Sequence, residues 1–230
     1  EENKLSFDDK IANYIDKSIL SGLHVYKGKD YSEELTVKHL LSHSSGLADY
    51  FQGKGTNGRS LENELMEGKD QSWTFEQAIE RTKKMNSDAN FQLLGKIIEN
   101  ITHKTYAETC REYIIEPLGL TKTYLYQDPS DKTPKTLYYK GRELDIPQAM
   151  TSFGADGGIV STSHDMLIFI EAFFTGKIFA KEYIDELQDW KNIFPPLKSG
   201  IGIHLFKLPW IFNPTGALPY FIGHSGLSGA

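Results

Sequence analysis

A histidine and a serine stand side by side near the end of the sequence, in the stretch Gly223-His224-Ser225-Gly226. A serine hydroxyl and a histidine imidazole can both exchange protons with a bound substrate. The flanking glycines are typical of a backbone that a substrate approaches closely. The same residues also occur on surface strands that take no part in catalysis, so this stretch alone leaves both interpretations open.

A second pair of residues has the spacing of metal ligands. His39 and His43 are four residues apart in a helical pattern, as in a zinc-binding helix. Leu40 stands where a zinc protease has its glutamate, and no third ligand is evident, so the pattern favours a structural role. The single cysteine, Cys110, excludes a multi-cysteine metal site and falls on a helical pattern as a buried apolar residue. We therefore expect no metal and no cofactor.

Four longer segments carry a family resemblance. They are LTVKHLLSHSSGLADYF from Leu35, SDANFQLLGKIIENITHKTYAETCREYIIEPLGLTKTYLY from Ser87, GADGGIVSTSHDMLIFIEAFF from Gly154, and GHSG from Gly223. In this order they resemble the serine β-lactamase-like and penicillin-binding hydrolases, closest to the class C and esterase-type branch. The opening KLSFDDKIANYI is similar to the segment that follows the nucleophile helix of that family. Each segment alone is weak evidence, but together they span nearly the whole chain.

The resemblance implies an α+β fold of the β-lactamase/transpeptidase type, with a helical lobe packed beside an antiparallel sheet that this chain supplies only in part. It also implies that the His-Ser-Gly stretch forms one edge of the active-site cleft. His224 and Ser225 would then bind the substrate carboxylate or relay a proton, and Gly226 would lie against the substrate. The backbone N–H of Leu227 would donate a hydrogen bond to the oxyanion.

The family also has a Tyr-x-Asn or Ser-x-Asn loop, and the stretch NFQLLG from Asn90 fixes its register in this sequence. In that register Ser87 lies in the loop and Asp88 takes the asparagine position, where it would orient the substrate. Asn86 stands where the family has tyrosine, and an asparagine cannot act as a phenolic base. We expect that residues are missing before Ser87; the alternative is that this protein has lost part of the loop.

The nucleophile of the family lies in a Ser-x-x-Lys pair, and these 230 residues contain none. The resemblance therefore places the nucleophile upstream of Glu1 and the last strands downstream of Ala230. We expect three parts: 1–35 follows the nucleophile helix, 36–175 forms a mostly helical lobe with pocket loops, and 176–230 returns to the sheet and ends on the His-Ser-Gly strand. The glycines of 156–158 are better explained by a tight turn near the cleft than by a metal loop.

Local signals predict the elements that would position these residues. Thr36 should cap the start of a helix, and Gly46 should adopt the left-handed conformation where the chain turns away from that helix. Capping boxes should begin two further helices, at Thr74 and Thr105. A helix beginning at Ser163 and ending at Gly176 should carry Met166, Leu167, Ile170, Phe173 and Phe174 on one face. Two antiparallel strands should follow, the first with one face formed by Ile201, Ile203 and Leu205.

Composition and charge limit the possible partners. The net charge is −6 and the basic residues are scattered, which argues against nucleic acid as a partner. No apolar run approaches the roughly 20 residues that span a bilayer. The resemblance implies a small-molecule or peptide substrate, such as a β-lactam, a D-Ala-D-Ala peptide or a small ester. It further implies an acyl-enzyme mechanism and a location outside the cytoplasm, facing cell-wall or antibiotic substrates.

Two other interpretations stay open. The chain could be a non-catalytic binding module that kept the fold and lost its active site, as Asn86 and Asp88 would suggest. An α/β-hydrolase is disfavoured, because Leu227 replaces the last glycine of Gly-x-Ser-x-Gly and no alternating strand–helix pattern precedes the stretch.

Overall fold

The computed structural model describes residues 4–47, 50–54, 58–85, 89–194, 197–217 and 220–224. In chain order its α-helices are Lys17–Leu20 (α1), Val37–Leu41 (α2), Leu61–Met66 (α3), Phe75–Met85 (α4), Asn90–Thr102 (α5), Tyr106–Cys110 (α6), Glu116–Leu118 (α7), Pro147–Phe153 (α8), Ser163–Thr175 (α9) and Tyr183–Leu187 (α10). Its strands are Val25–Tyr26 (β1), Lys29–Asp30 (β2), Tyr124–Leu125 (β3), Leu137–Tyr139 (β4), Arg142–Leu144 (β5), Ile159–Val160 (β6), Lys191–Phe194 (β7), Leu197–Ser199 (β8), His204–Phe206 (β9) and Phe221–Gly223 (β10).

The main sheet is antiparallel and has the strand order β10-β9-β8-β7. The register pairs Gly223 with His204 and Ile222 with Leu205. The two predicted strands are therefore confirmed, although β9 begins only at His204. The hairpin of β7 and β8 was not predicted, because its strands are short and half polar. Three two-stranded pairs, β1-β2, β3-β6 and β4-β5, complete the strand pairing of the described residues.

The helical lobe contains a hydrophobic core, in which α2 packs against α5. Val37 and Leu40 of α2 and Leu93 and Ile97 of α5 are almost completely buried. Removing such side chains from water contributes about 1.5–3 kcal/mol each. This packing fixes the position of the segment that leaves α2 relative to the first turn of α5. The α+β fold, with helices beside an antiparallel sheet, is thus the one that the sequence predicts.

Residues 154–158 form a tight turn, as predicted, and this turn packs against α5. Gly154 and Gly157 adopt positive φ angles of 51° and 107°. A Cβ atom on Gly95 of α5 would lie 2.6 Å from the Cβ of Ala155, so only glycine fits where the helix meets the turn. The turn leads into β6 before α9 begins.

Helix α9 begins at Ser163 and ends before Gly176, as predicted, and the apolar residues on its one face are at most half-buried. Met166, Leu167 and Ile170 are exposed, at 39%, 68% and 47% of their surface. The buried residues of this helix are Asp165 and Ala172 instead. The Asp165 carboxylate accepts hydrogen bonds from the Lys122 N–H at 2.8 Å and the Thr123 hydroxyl at 2.9 Å. These polar contacts hold the Asp165 side of α9 inward.

The capping box of Thr105 and Glu108 is present, and Gly119 ends the following helical segment in the left-handed conformation. Between α6 and α7 the chain forms a π-helical turn over Arg111–Ile115. Pro117 has no N–H for the carbonyl four residues earlier and its ring crowds that carbonyl, which accounts for the wider turn. Cys110 is buried, as predicted.

The Thr74 capping box is also confirmed, with the Gln77 N–H donating to the Thr74 hydroxyl at 3.3 Å and the Thr74 N–H donating to the Gln77 carboxamide at 2.9 Å. Among the helices that the structure describes, none has the length and apolarity that crossing a membrane requires. The division into 1–35, 36–175 and 176–230 stays a prediction.

Candidate functional site

Two of the predicted catalytic regions approach each other through residues that flank them. His224 follows β10 and directly precedes Ser225, and Phe91 lies in the first turn of α5, three residues after Asp88. The rings of Phe91 and His224 meet edge to face, with their centroids 6.1 Å apart. The fold therefore brings the end of β10 and the beginning of α5 to one place.

Of the predicted site residues, His224 is described, and its side chain is exposed. The other predicted site residues lie outside the described residues, so their catalytic and binding roles stay predictions: Ser87, Asp88, Ser225, Gly226 and Leu227.

The segment that leaves α2 contributes His43. The Thr36 hydroxyl accepts a hydrogen bond from the His39 N–H, and the His39 ring nitrogen Nδ1 accepts one from the Thr36 N–H at 3.1 Å. The structural interpretation of His39 is therefore confirmed. Gly46 adopts the predicted left-handed conformation, with a φ of 71°. The helix itself ends earlier, at Leu41, and His43 is already left-handed, with a φ of 51°.

His43, His204 and His224 form a compact group that we call the histidine cluster. The ring centroids of His204 and His224 are 4.3 Å apart and the rings are nearly parallel, at 22°. His43 lies 5.5 Å from His204 and 6.2 Å from His224 by the same measure. One nitrogen of each ring lies within 4.8 Å of the other two. Phe91 borders the cluster, with its ring centroid 5.3 Å from that of His43.

His204 is the buried member of the cluster, with 7% of its surface exposed. Neither of its ring nitrogens has a hydrogen-bond partner among the described residues. Burial, together with any positive charge on His224 and His43, lowers the pKa of His204 to about 4. Its imidazole is therefore neutral at physiological pH. A buried polar group without a partner lowers the free energy of unfolding by roughly 1–3 kcal/mol, so His204 destabilises the core in which it lies.

His204 was not predicted as a site residue. The signal was present as a histidine within the apolar stretch of β9, but sequence spacing does not show that β9 carries it to His43 and His224. The residue that joins His43 in space thus comes from a distant part of the chain. His39 itself does not belong to the cluster that the described residues form.

Buried hydrogen bonds hold the elements around the cluster in place. The Ser45 hydroxyl donates to the Asn90 carboxamide oxygen at 2.8 Å, which links the exit from α2 to the first turn of α5. The Gln92 amide donates to the Phe153 carbonyl at 2.8 Å, which links α5 to the end of α8. Tyr50 lies fully buried beside Gln92, and burial raises the pKa of its phenol far above the ordinary value.

Comparison with known proteins places the whole chain in one family. A model of the family described as Beta-lactamase matches residues 1–230. PbpX of Bacillus subtilis (strain 168), which is named as a penicillin-binding protein, is 23% identical over 96% of this chain and 52% of its own length. The teichoic acid D-alanine hydrolase of Staphylococcus aureus (strain MRSA252) is 26% identical over 81% of this chain and 44% of its own length.

Solved structures support the same fold. A D-stereospecific amidohydrolase from Streptomyces sp. superposes with a TM-score of 0.73 at 22% identity, over 99% of this chain and 70% of that chain. The chain spans about half the length of the two curated relatives. The match of the family model to all 230 residues, and the agreement of the fold, show that this chain belongs to the Beta-lactamase family.

Proposed function

We propose that this chain is part of a serine hydrolase that cleaves an ester or amide of a D-amino acid through an acyl-enzyme. The family assignment supports the reaction class. The relative named teichoic acid D-alanine hydrolase supports a D-alanyl ester as the first substrate to test. β-Lactams, D-Ala-D-Ala peptides and simple esters belong to the same reaction route and are the alternatives.

In the proposed reaction, a serine of a Ser-x-x-Lys pair upstream of Glu1 attacks the carbonyl carbon of the substrate. The lysine takes the hydroxyl proton, a bond forms between the serine oxygen and the acyl carbon, and the leaving group departs with that proton. Water then attacks the acyl-enzyme, which releases the acid and restores the serine. The Leu227 N–H would stabilise the oxyanion, while His224 and Ser225 would bind the substrate and Asp88 would orient it.

The observation that carries this proposal is the contact between Phe91 and His224. It joins the first turn of α5, which follows the Ser87-Asp88 stretch, to the end of β10, which precedes Ser225. The Ser87-Asp88 stretch and Ser225 are more than a hundred positions apart in the sequence. Their neighbours Phe91 and His224 are nevertheless in ring contact, as a cleft shared by the two stretches would require. The proposed location is outside the cytoplasm, where a D-alanyl ester of a teichoic acid would be met.

The test uses the full-length encoded protein. We expect a fluorophosphonate probe to label one serine upstream of Glu1, and a D-alanyl ester to be hydrolysed faster than the matching L-alanyl ester. Ser225→Ala should lower kcat/KM by about 10²-fold or more, because it removes a hydroxyl proposed to bind the substrate or relay a proton, whereas Ser228→Ala serves as the neighbouring control. A folded full-length protein that is neither labelled nor active on any of these substrates would contradict the proposal.

Asn86 and Asp88 favour a second candidate, a binding module without catalysis. In the family register these residues replace the phenol and the amide that the reaction uses. This candidate predicts a full-length protein that binds a D-alanyl ligand reversibly and is never acylated. Intact-mass measurement after incubation with penicillin separates the two, because only the enzyme gains the mass of the acyl group.

A further inference from the structure

The histidine cluster brings together three imidazoles from three separate elements. His43 follows α2, His204 lies in β9 and His224 follows β10. One ring nitrogen of each lies within 4.8 Å of the other two. Register explains part of this convergence, because β9 and β10 pair His204 with Gly223 and so place His224 beside His204.

The surroundings of His204 indicate that the cluster serves a ligand and not only packing. The side chain is more than nine-tenths buried, and neither nitrogen has a hydrogen-bond partner among the described residues. An imidazole in a core normally satisfies at least its N–H group, because an unpaired buried polar group keeps the full cost of its desolvation. A metal ion between the three rings would supply a partner for one of the two nitrogens.

The donor set defines the class of ion. The cluster consists of imidazoles alone, and imidazole suits Zn²⁺, Co²⁺, Ni²⁺ and Cu²⁺, whereas Mg²⁺ and Ca²⁺ prefer oxygen ligands. Three protein ligands leave a fourth tetrahedral position for water or another small ligand.

The geometry needs a small adjustment to bind such an ion. A point equidistant from three atoms spaced 4.8 Å apart lies roughly 2.8 Å from each, compared with about 2.0–2.1 Å for a Zn–N bond. His43 and His224 are exposed and can rotate inward by the remaining distance, while the sheet holds His204 in place. Coordination would also separate the nearly parallel rings of His204 and His224.

We infer that His43, His204 and His224 form a site for a divalent transition-metal ion, with Zn²⁺ as the most suitable occupant. This inference does not depend on the proposed hydrolase activity, since it concerns binding to the folded chain. If the cleft is where the proposed function places it, the ion would lie one residue from Ser225 and so at its edge.

The test measures metal binding alone. The full-length protein, freed of metal with EDTA and dialysed, is titrated with Zn²⁺ by calorimetry, and with Co²⁺ by the visible absorption of a tetrahedral complex. We expect one ion per chain. His43→Gln and His224→Gln change exposed side chains and should each weaken binding about tenfold or more, while the exposed control His164→Gln should bind as the unaltered protein does.

A second measurement follows the thermal stability of the same variants. An ion that binds only the folded state raises its melting temperature, so Zn²⁺ should stabilise the unaltered protein and His164→Gln but not His43→Gln combined with His224→Gln. The inference is wrong if the unaltered protein binds no Zn²⁺, or if the double variant binds and is stabilised as well as the unaltered protein. Either result would leave ordered water as the partner of His204.

Discussion

Ser45 and Asn90, 45 positions apart, are joined by a buried hydrogen bond of 2.8 Å from the hydroxyl to the carboxamide oxygen. Ser45 lies two residues after His43, and Asn90 directly precedes Phe91. This one bond therefore fixes the distance between two of the elements that border the histidine cluster.

Ser45→Ala should lower the free energy of unfolding by about 1–2 kcal/mol. It removes the hydroxyl that donates to Asn90 and that accepts the Leu47 N–H at 3.2 Å. Urea denaturation measures the change, and Ser72→Ala, on an exposed serine, should have almost no effect. Equal stability of the two variants would mean that this bond contributes nothing to the fold.

Gly95→Ala should destabilise the protein by about 1–3 kcal/mol, although alanine is ordinarily the better helix former. The added methyl group would lie 2.6 Å from the Cβ of Ala155, which is too close for either backbone to stay in place. The matched test is the pair of substitutions, since Ala155→Gly removes the opposing methyl group. Gly95→Ala should cost less in the Ala155→Gly background; an equal cost in both backgrounds would place the clash elsewhere.

Asp70 accepts hydrogen bonds from the Gln148 N–H at 2.9 Å and the Ala149 N–H at 2.8 Å, and so caps α8 from a distant part of the chain. Asp70→Ala should therefore cost about 1 kcal/mol, within the usual range of 0.5–2 kcal/mol for a lost helix cap. Asp145→Ala removes an exposed carboxylate near the same helix end and should cost less. Chemical denaturation of both variants decides whether the hydrogen bonds or only the nearby charge matters.

Asp30 should make the fold sensitive to acid. Its pKa is lowered chiefly by the hydrogen bond from the Ser32 hydroxyl, and the backbone N–H groups of Ser32 and Gly22 add to the effect. As the pH falls below about 4, Asp30 takes up a proton in the unfolded chain but stays charged in the folded one. The stability that these bonds provide is therefore lost progressively as the pH falls toward and past the lowered pKa of the folded state. Asp30→Asn should be less stable at pH 7 and should lose less between pH 5 and pH 3. Parallel losses in the two proteins would contradict this.

Signals that act over a few residues were sufficient to predict much of the helical lobe. The capping boxes at Thr74 and Thr105 and the helix start at Ser163 depend on hydrogen bonds between residues three positions apart, which the sequence displays directly. The orientation of helix α9 could not be predicted, because Asp165 is held inward by the Lys122 N–H and the Thr123 hydroxyl, which no periodicity reveals.

The site was predictable only where the family resemblance reached it. His224 was identified through the His-Ser-Gly motif, whereas His204 stood in a strand without a motif. The place of His204 in the histidine cluster depends on the register of β9 and β10 and on the path of the chain after α2. Both are set by packing between distant segments.

His204→Leu tests whether the buried histidine is retained for function at a cost in stability. Leucine has a similar volume and no polar atoms, so it should leave the free energy of unfolding unchanged or raise it by about 1–2 kcal/mol, because two buried nitrogens without described partners are removed. The measurement is urea denaturation in EDTA, with the exposed His164→Leu as the control. A stabilised variant that has also lost the response of the melting temperature to Zn²⁺ would show that β9 carries its histidine for a ligand. A loss of more than about 1 kcal/mol in EDTA would instead show that the imidazole has partners that stabilise the fold without metal.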